Sequence, residues 1–503
     1  MKITPIPKKW WVLFAMSLAL AIMFLDQTAV SVALPAMQLD LNANNTEIQW
    51  IVNAYLLTTA CILILGGKLG DMFGYKNMFI IGVLIFIISS ATIALAQVEM
   101  EAIISRAVQG IGAALMIPGS NVIVFNAFGE KERGRALGIQ VSIASLFLCL
   151  GPMLGGYFTE FMSWRYIFWI NLPIGLLACI IVYRFSPQEA NLPPRKPLDW
   201  KGFWLSLVAL FCIVFALMQT AEWGWGNPYN LTLLAVGLAL TYWFIRFERT
   251  KEHPFVDLNL FKDRGFLVGT LILLLVQTNF IARIFTAIFF QLVLGYSPFV
   301  AGLLALASTI PILFAGIIGG YLKDLYGSRL PVVIGSWLIA LSSFWIAGFA
   351  WAFNYWYLVP GLIAFACGAP LVISTARTVA LTTIPAEQRG SATGVCNSAR
   401  NVGGTLGLAL MSTIIINLQK WHLNHSLSEL PAPFNHLNAD KLSGVLSGAE
   451  TATEHLFHLN HEQYHTLHTA AEHAYTFGYS VSMVFIGMIG LLGLYFANKL
   501  PRD

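Results

Sequence analysis

Residues 67–76 read G-K-L-G-D-M-F-G-Y-K, and 253 positions further on residues 320–329 read G-Y-L-K-D-L-Y-G-S-R. The two share glycine at the first place, leucine at the third, aspartate at the fifth, glycine at the eighth and a base at the tenth. A second pair follows at nearly the same spacing. E-R-G-R-A-L-G over 132–138 is echoed by Q-R-G-S-A-T-G over 388–394, an offset of 256. Polar elements recurring at half-chain distance mark an internal duplication. The surrounding composition places both copies. Of 503 residues, 57% are hydrophobic and 11% charged, which does not describe a water-soluble chain of this length. Two membrane-embedded halves follow, an architecture that usually means transport.

A bilayer-spanning helix takes roughly 20 apolar residues. Fourteen stretches qualify: about 11–33, 49–70, 78–97, 102–126, 137–159, 166–185, 202–220, 229–247, 266–291, 299–321, 331–350, 356–378, 393–417 and 476–497. The expected fold is an all-α integral membrane protein with two six-helix halves, residues 1–185 and 265–503. An inserted two-helix hairpin with its linkers occupies 186–264. Pro187, Pro193, Pro194 and Pro197 lead into that insertion, and the polar run from Glu248 to Arg264 leads out. All six cysteines fall inside the apolar stretches, where they read as small packing residues and not as disulfides or metal ligands.

With the N-terminus inside, 23 of the 29 Lys and Arg residues face the cytoplasm, Arg377 among them, and both termini are cytoplasmic. The first stretch starts basic, yet no small-residue cleavage site follows and Asp26 lies within it, so it reads as a retained helix. The net charge of +4 is explained by this topology, and no nucleic-acid partner is implied. No nucleotide loop, nucleophile elbow or zinc-protease spacing occurs. An enzyme is therefore not expected, nor a cofactor.

Asp26 is the one carboxylate well inside a stretch. A charge there costs roughly 2.5–3.5 kcal/mol on insertion scales, so such residues usually face a cavity and do work. Either it carries a proton, or it fixes helix packing through a hydrogen bond. Adding the repeat offsets to position 26 lands on 279–282, within a turn of Arg283. Arg283 could pair with Asp26 across a central cavity, bind an anionic or zwitterionic substrate, or find a carbonyl elsewhere. Arg106 and Arg400 are two further bases inside stretches. Tyr55, Gln140, Gln277, Asn279, Phe285, Gln291 and Asn397 could line a mixed aromatic and polar pocket together with Asp26 and Arg283, or could simply pack. Asp71 and Asp324 sit at cytoplasmic helix ends, where a carboxylate can satisfy the orphan amides of a nearby helix N-terminus or stay solvated. Gly151, Gly155 and Gly156 let helices approach closely and Pro152 removes a backbone donor, giving either a rocking contact or ordinary tight packing.

Nine of the ten histidines lie between 422 and 473, in an expected outer loop over about 418–475. His455, His458, His461, His465 and His468 fall on one arc of about 140° if helical, which suggests an amphipathic helix on the membrane surface or against the protein. A solvated face, a pH or partner-docking role, and weak metal binding are all open.

The chain resembles the major facilitator superfamily, in particular its fourteen-helix drug–proton antiporter branch. The duplicated elements resemble the loop between helices 2 and 3 and its second-half echo. L-D-Q-T-A-V-S-V-A-L-P over 25–35, R-A-V-Q-G-I-G over 106–112, G-P-M-L-G-G over 151–156, Trp164-Arg165 and N-L-P-I-G over 171–175 are similar to the branch's other motifs, in order. Met72 and Tyr75 stand where that loop is often basic, and Phe147 where a glycine is frequent. The resemblance implies that Gly67, Gly70, Asp71, Gly74, Lys76, Asp324, Gly327 and Arg329 gate the two halves, and that Arg106 takes part in proton transfer with Asp26. It implies export of small lipophilic or amphiphilic compounds against protons, at the inner membrane and by alternating access. The other readings are a dedicated exporter of one anionic or zwitterionic metabolite such as a siderophore, and a membrane sensor without flux. Some Gram-negative members of the branch work with a periplasmic adaptor and an outer-membrane channel, so such partners are conceivable beside substrate, protons and lipid.

Overall fold

The computed structural model describes residues 7–43, 45–186, 198–429 and 461–500. Among them, fourteen helices are long and apolar enough to cross a membrane. The first six are α1 (Lys8–Asp40), α2 (Asn45–Phe73), α3 (Tyr75–Leu95), α4 (Glu99–Ala127), α5 (Arg133–Phe161) and α6 (Asn171–Phe185), the last entered through the turn Tyr166–Trp169. The insertion is α7 (Trp200–Trp223) and α8 (Pro228–Glu248). The second set is α9 (Arg264–Leu292), α10 (Ile310–Tyr326), α11 (Arg329–Phe349), α12 (Tyr355–Thr382), α13 (Arg389–Glu429) and α14 (His461–Ala497), with the short helix Pro298–Leu304 leading towards α10.

The duplication is visible in the packing. α1 packs on α5 and α6, and α4 on α2 and α3; in the second half α9 packs on α13 and α14, and α12 on α10 and α11. Across the halves α5 meets α10, and α2 meets α13, the same pairing with the roles exchanged. The turns α2–α3 and α10–α11 each hinge on the eighth-place glycine of the repeat. Gly74 has φ +90° and Gly327 φ +79°, where a side chain would be strained. The polarity is that of a membrane bundle: Ile88, Leu95, Ile180, Leu238, Trp243 and Phe314 are exposed, while Asp26, Arg106, Gln109, Gln140 and Asn171 are buried.

Two expectations are corrected. The loop placed over 418–475 begins as helix, since α13 runs to Glu429, and α14 resumes at His461. Leu423 and Leu427 are buried, as are Leu467 and Ala471 on α14. Trp421 and His422 meet the ring of Phe477. A side-by-side apolar stripe therefore carries both helices past their membrane runs. Residues 461–473 form the first turns of α14, in line with it, and not a separate helix on a surface. Arg377, expected on the cytoplasmic face, is buried inside α12, and its Nη1 donates to Asn121 Oδ1 of α4 at 3.1 Å.

Candidate functional site

Asp26 lies in the middle of α1 and is wholly buried. Side chains of two other helices bond it directly. From α4, Arg106 Nη1 donates to Asp26 Oδ2 at 2.5 Å and to Gln109 Oε1 at 2.7 Å. Gln109 Nε2 and, from α6, Asn171 Nδ2 each donate to Asp26 Oδ1 at 3.3 Å. Asn171 Nδ2 also reaches Ser90 Oγ of α3 at 2.9 Å. Arg106 Nε donates to the Ile51 carbonyl of α2 at 2.9 Å, and its guanidinium lies 4.4 Å from the ring centroid of Tyr55. Both charges are out of solvent, and every bond made here uses a group that would otherwise stand unpaired in apolar surroundings. That is the condition under which a buried pair is tolerated.

α1 is tied to α5 one turn on. Thr28 Oγ1 donates to the Leu148 carbonyl at 3.0 Å. Gly151 and Gly155 face Thr28 and Ala29 so closely that a Cβ on either would collide. A Cβ on Gly156 would make only an ordinary contact, 4.0 Å from Val32 Cγ1.

The duplicated polar elements dock crosswise. Asp71, at the end of α2, reaches the N-terminus of α13: its Oδ1 accepts from the Gly390 amide at 2.8 Å and the Tyr75 hydroxyl at 2.5 Å. Its Oδ2 accepts from the Ser391 amide at 2.7 Å and from the Ser391 hydroxyl. Asp324, at the end of α10, reaches the N-terminus of α5, where its Oδ2 accepts from the Arg135 amide at 3.1 Å. The backbones touch at Gly67 with Gly390 and at Gly320 with Gly134. Each aspartate thus caps orphan amides and meets the positive end of a helix dipole in the opposite half. Lys76 Nζ bonds the Tyr183 and Ser186 carbonyls at 3.0 and 2.8 Å, and Arg329 bonds Asn498 at 2.7 Å. Both bases tie their loops to their own half.

The remaining candidates do not gather into one pocket. Tyr55 belongs to the Asp26 cluster. Gln277 Oε1 accepts from Arg400 Nη2 at 2.8 Å. Asn397 lines a small recess with Leu273, Arg377 and Thr393. Asn279 and Gln291 bond carbonyls of their own helix, Phe285 is packed in an apolar cluster, and Gln140 is buried with both amide atoms unpaired. Arg283 does not meet Asp26. Its Nη2 donates to Ser343 Oγ at 3.0 Å and its guanidinium lies 4.3 Å from the Phe365 ring centroid. His455 and His458 lie outside the described residues, as does the side chain of His461. His468 pairs with Glu472 at 3.2 Å, and among the described residues no three His, Cys, Asp or Glu side chains come together.

Gln109, Asn171, Gly390, Ser391 and Arg135 were not singled out by sequence reasoning. All five nonetheless lie inside quoted motifs: Gln109 in 106–112, Asn171 opening 171–175, Arg135 in 132–138, Gly390 and Ser391 in 388–394.

Fourteen apolar helices in two like halves, latched crosswise and carrying a buried ion pair, define a membrane transporter and not an enzyme. The chain belongs to the Major Facilitator Superfamily, whose sequence profile matches residues 16–408. It is 32% identical over 411 residues to the multidrug resistance protein Stp of Mycobacterium tuberculosis, covering 80% of this chain and 75% of that one. It is 32% identical over 416 residues to the tetracenomycin C resistance and export protein of Streptomyces glaucescens (81% and 76%), and 30% over 428 residues to the puromycin resistance protein of Streptomyces alboniger (82% of each). Among solved structures, the proton:xylose symporter XylE superposes with a TM-score of 0.63 at 14% identity, over 98% of this chain and 96% of that one.

Proposed function

We propose that the protein exports small lipophilic or amphiphilic compounds across the inner membrane in exchange for protons, with both termini in the cytoplasm. The Asp26–Arg106 pair carries the reading. Asp26 takes up a proton from outside, which dissolves the pair; release inside restores it. Its neighbours Thr28 and Ala29 are the residues on which α5 crosses α1, and α5 begins at the amides that Asp324 holds. A change at the pair therefore has a mechanical route to the seam between the halves. The crosswise latches close that seam at the end carrying most basic residues, which is what one access state of an alternating carrier requires. The resistance and export relatives, named for chemically unrelated compounds, support efflux of varied cargo. The proposal needs no periplasmic adaptor or outer-membrane channel.

The test is proton movement in proteoliposomes under an imposed pH gradient, with ethidium as cationic cargo. Wild-type protein should dissipate the gradient when ethidium is added, and Asp26→Asn should not. Cargo-dependent proton release that survives in Asp26→Asn would remove Asp26 from the coupling step.

A further inference from the structure

Asp26 is surrounded by donors. Gln109 Nε2 from α4 and Asn171 Nδ2 from α6 both reach its Oδ1 at 3.3 Å, while Oδ2 faces the guanidinium of Arg106. The charged and titratable groups on this side are Arg106 of α4 and, against it, Tyr55 of α2. Ser90 of α3 and Asn171 of α6 are neutral, and α5 crosses α1 on Gly151 and Gly155. These surroundings suit a carboxylate, which only accepts. They do not suit a carboxylic acid, whose O–H needs an acceptor of its own.

The two amides differ in how they are held. Gln109 Oε1 accepts from Arg106 Nη1 at 2.7 Å, so turning that amide over would set its NH2 group against the guanidinium. Asn171 Oδ1 is buried and accepts no hydrogen bond. Its Nδ2 makes a second bond, to Ser90 Oγ at 2.9 Å, and the Ser90 hydroxyl itself donates to the Phe168 carbonyl at 2.9 Å. Ser90 therefore offers Asn171 a lone pair and no proton. Half a turn about the Cβ–Cγ bond of Asn171 would bring Oδ1 to where Nδ2 now stands. It would cost the bond to Ser90 and break nothing at the other end of the amide.

We propose that Asn171 is a positioning residue for the proton on Asp26: its amide donates to the carboxylate and turns over to accept from the carboxylic acid, with Ser90 holding the first orientation. The inference rests on the proposed proton exchange at Asp26 and names the group that answers it. In the ionised state Asn171 contributes one long bond to Asp26. In the protonated state the turned amide accepts a full O–H···O bond, so Asn171 favours the proton on balance. Ser90 favours its absence, because it accepts from the amide in the ionised state alone.

The experiment is an infrared pH titration of the purified full-length protein in detergent, reading the protonated-carboxyl stretch that Asp26→Asn removes. It needs neither cargo nor transport. Asn171→Leu should lower the proton affinity of Asp26 about tenfold, the worth of one hydrogen bond, and Ser90→Ala should raise it by a similar factor. Ser90→Ala/Asn171→Leu should match Asn171→Leu alone, because Ser90 acts only through the amide. If Asn171→Leu does not fold, the rise in Ser90→Ala carries the test, since an amide fixed as a donor predicts none. A higher affinity in Asn171→Leu overturns the proposal and makes the amide a fixed donor to the carboxylate. It is overturned equally by an unchanged affinity in Ser90→Ala, or by additive effects in the double variant. If Asp26→Asn removes no stretch at any pH, the proton-carrier reading of Asp26 fails, and this inference with it.

Discussion

A guanidinium and a carboxylate buried side by side stabilise a bundle only while both are present, so the two must be tested together. Arg106→Gln leaves Asp26 with two amide donors at 3.3 Å and no counter-charge. The expected loss is about 3–5 kcal/mol, the usual consequence of breaking a buried pair from one side. Asp26→Asn/Arg106→Gln removes both charges and keeps polar atoms near Gln109, Asn171 and Ile51. It should be more stable than Arg106→Gln alone, with a coupling well above the error of a double-mutant cycle. Denaturant unfolding of the four proteins in one detergent measures this. Additive effects would mean that the 2.5 Å contact contributes no specific energy.

Between elements, strength differs from one latch to the other. Asp71 receives two amides and two hydroxyls, whereas Asp324 receives one amide at 3.1 Å, and its Oδ1 accepts no hydrogen bond and stands 4.0 Å from Lys323 Nζ. The difference comes from two positions where the repeat diverged, Tyr75 against Ser328 and Ser391 against Arg135. Ser142, buried where α5 meets α10, reports on the seam. In a background lacking other cysteines, maleimide labelling of Ser142→Cys should accelerate about tenfold with Asp71→Asn, the effect of one charge-assisted bond, and by less with Asp324→Asn. Equal acceleration would make the extra hydroxyls irrelevant to gating. Both duplicated elements were legible in the sequence, and so was their half-chain spacing. Which copy docks with which was not, because Asp71 meets residues more than 300 positions away and no local pattern encodes that. Gln109 and Asn171 were hidden for a related reason: their roles exist only once α3, α4 and α6 close around α1. Arg283 was legible as an anomaly, but its neighbours were not.

For the molecule as a whole, the inserted hairpin is more than a spacer between the halves. α7 packs on both α2 and α13, along the seam that the proposed alternating access would part at the latched end. Trp50 stacks on Phe215 at 5.8 Å, and Trp225 Nε1 donates to Thr413 Oγ1 at 2.7 Å, so the hairpin holds one side of that seam from each half. The segment leaving α8 is fastened in the same way. Glu248 accepts from the Val256 amide at 3.2 Å, which folds the segment back under α8. Lys68 of α2 donates to the Pro254 carbonyl at 3.0 Å, and Gln388, just before α13, donates to Asp257 at 3.3 Å. One short stretch of chain thus bridges both arms of the stronger latch, and parting α2 from α13 must break one of these bonds. Lys68→Ala with Gln388→Ala should therefore raise the labelling rate of Ser142→Cys and the rate of cargo movement a few-fold, about the worth of one half-exposed hydrogen bond. Under the proposed exchange, protons moved per cargo should stay constant, because Asp26 and Arg106 are untouched. If flux rises but the proton ratio falls, the strap enforces coupling as well as speed. If labelling and flux both stay at the wild-type rate, the stretch is a passive linker, and the stronger latch depends on Asp71 alone.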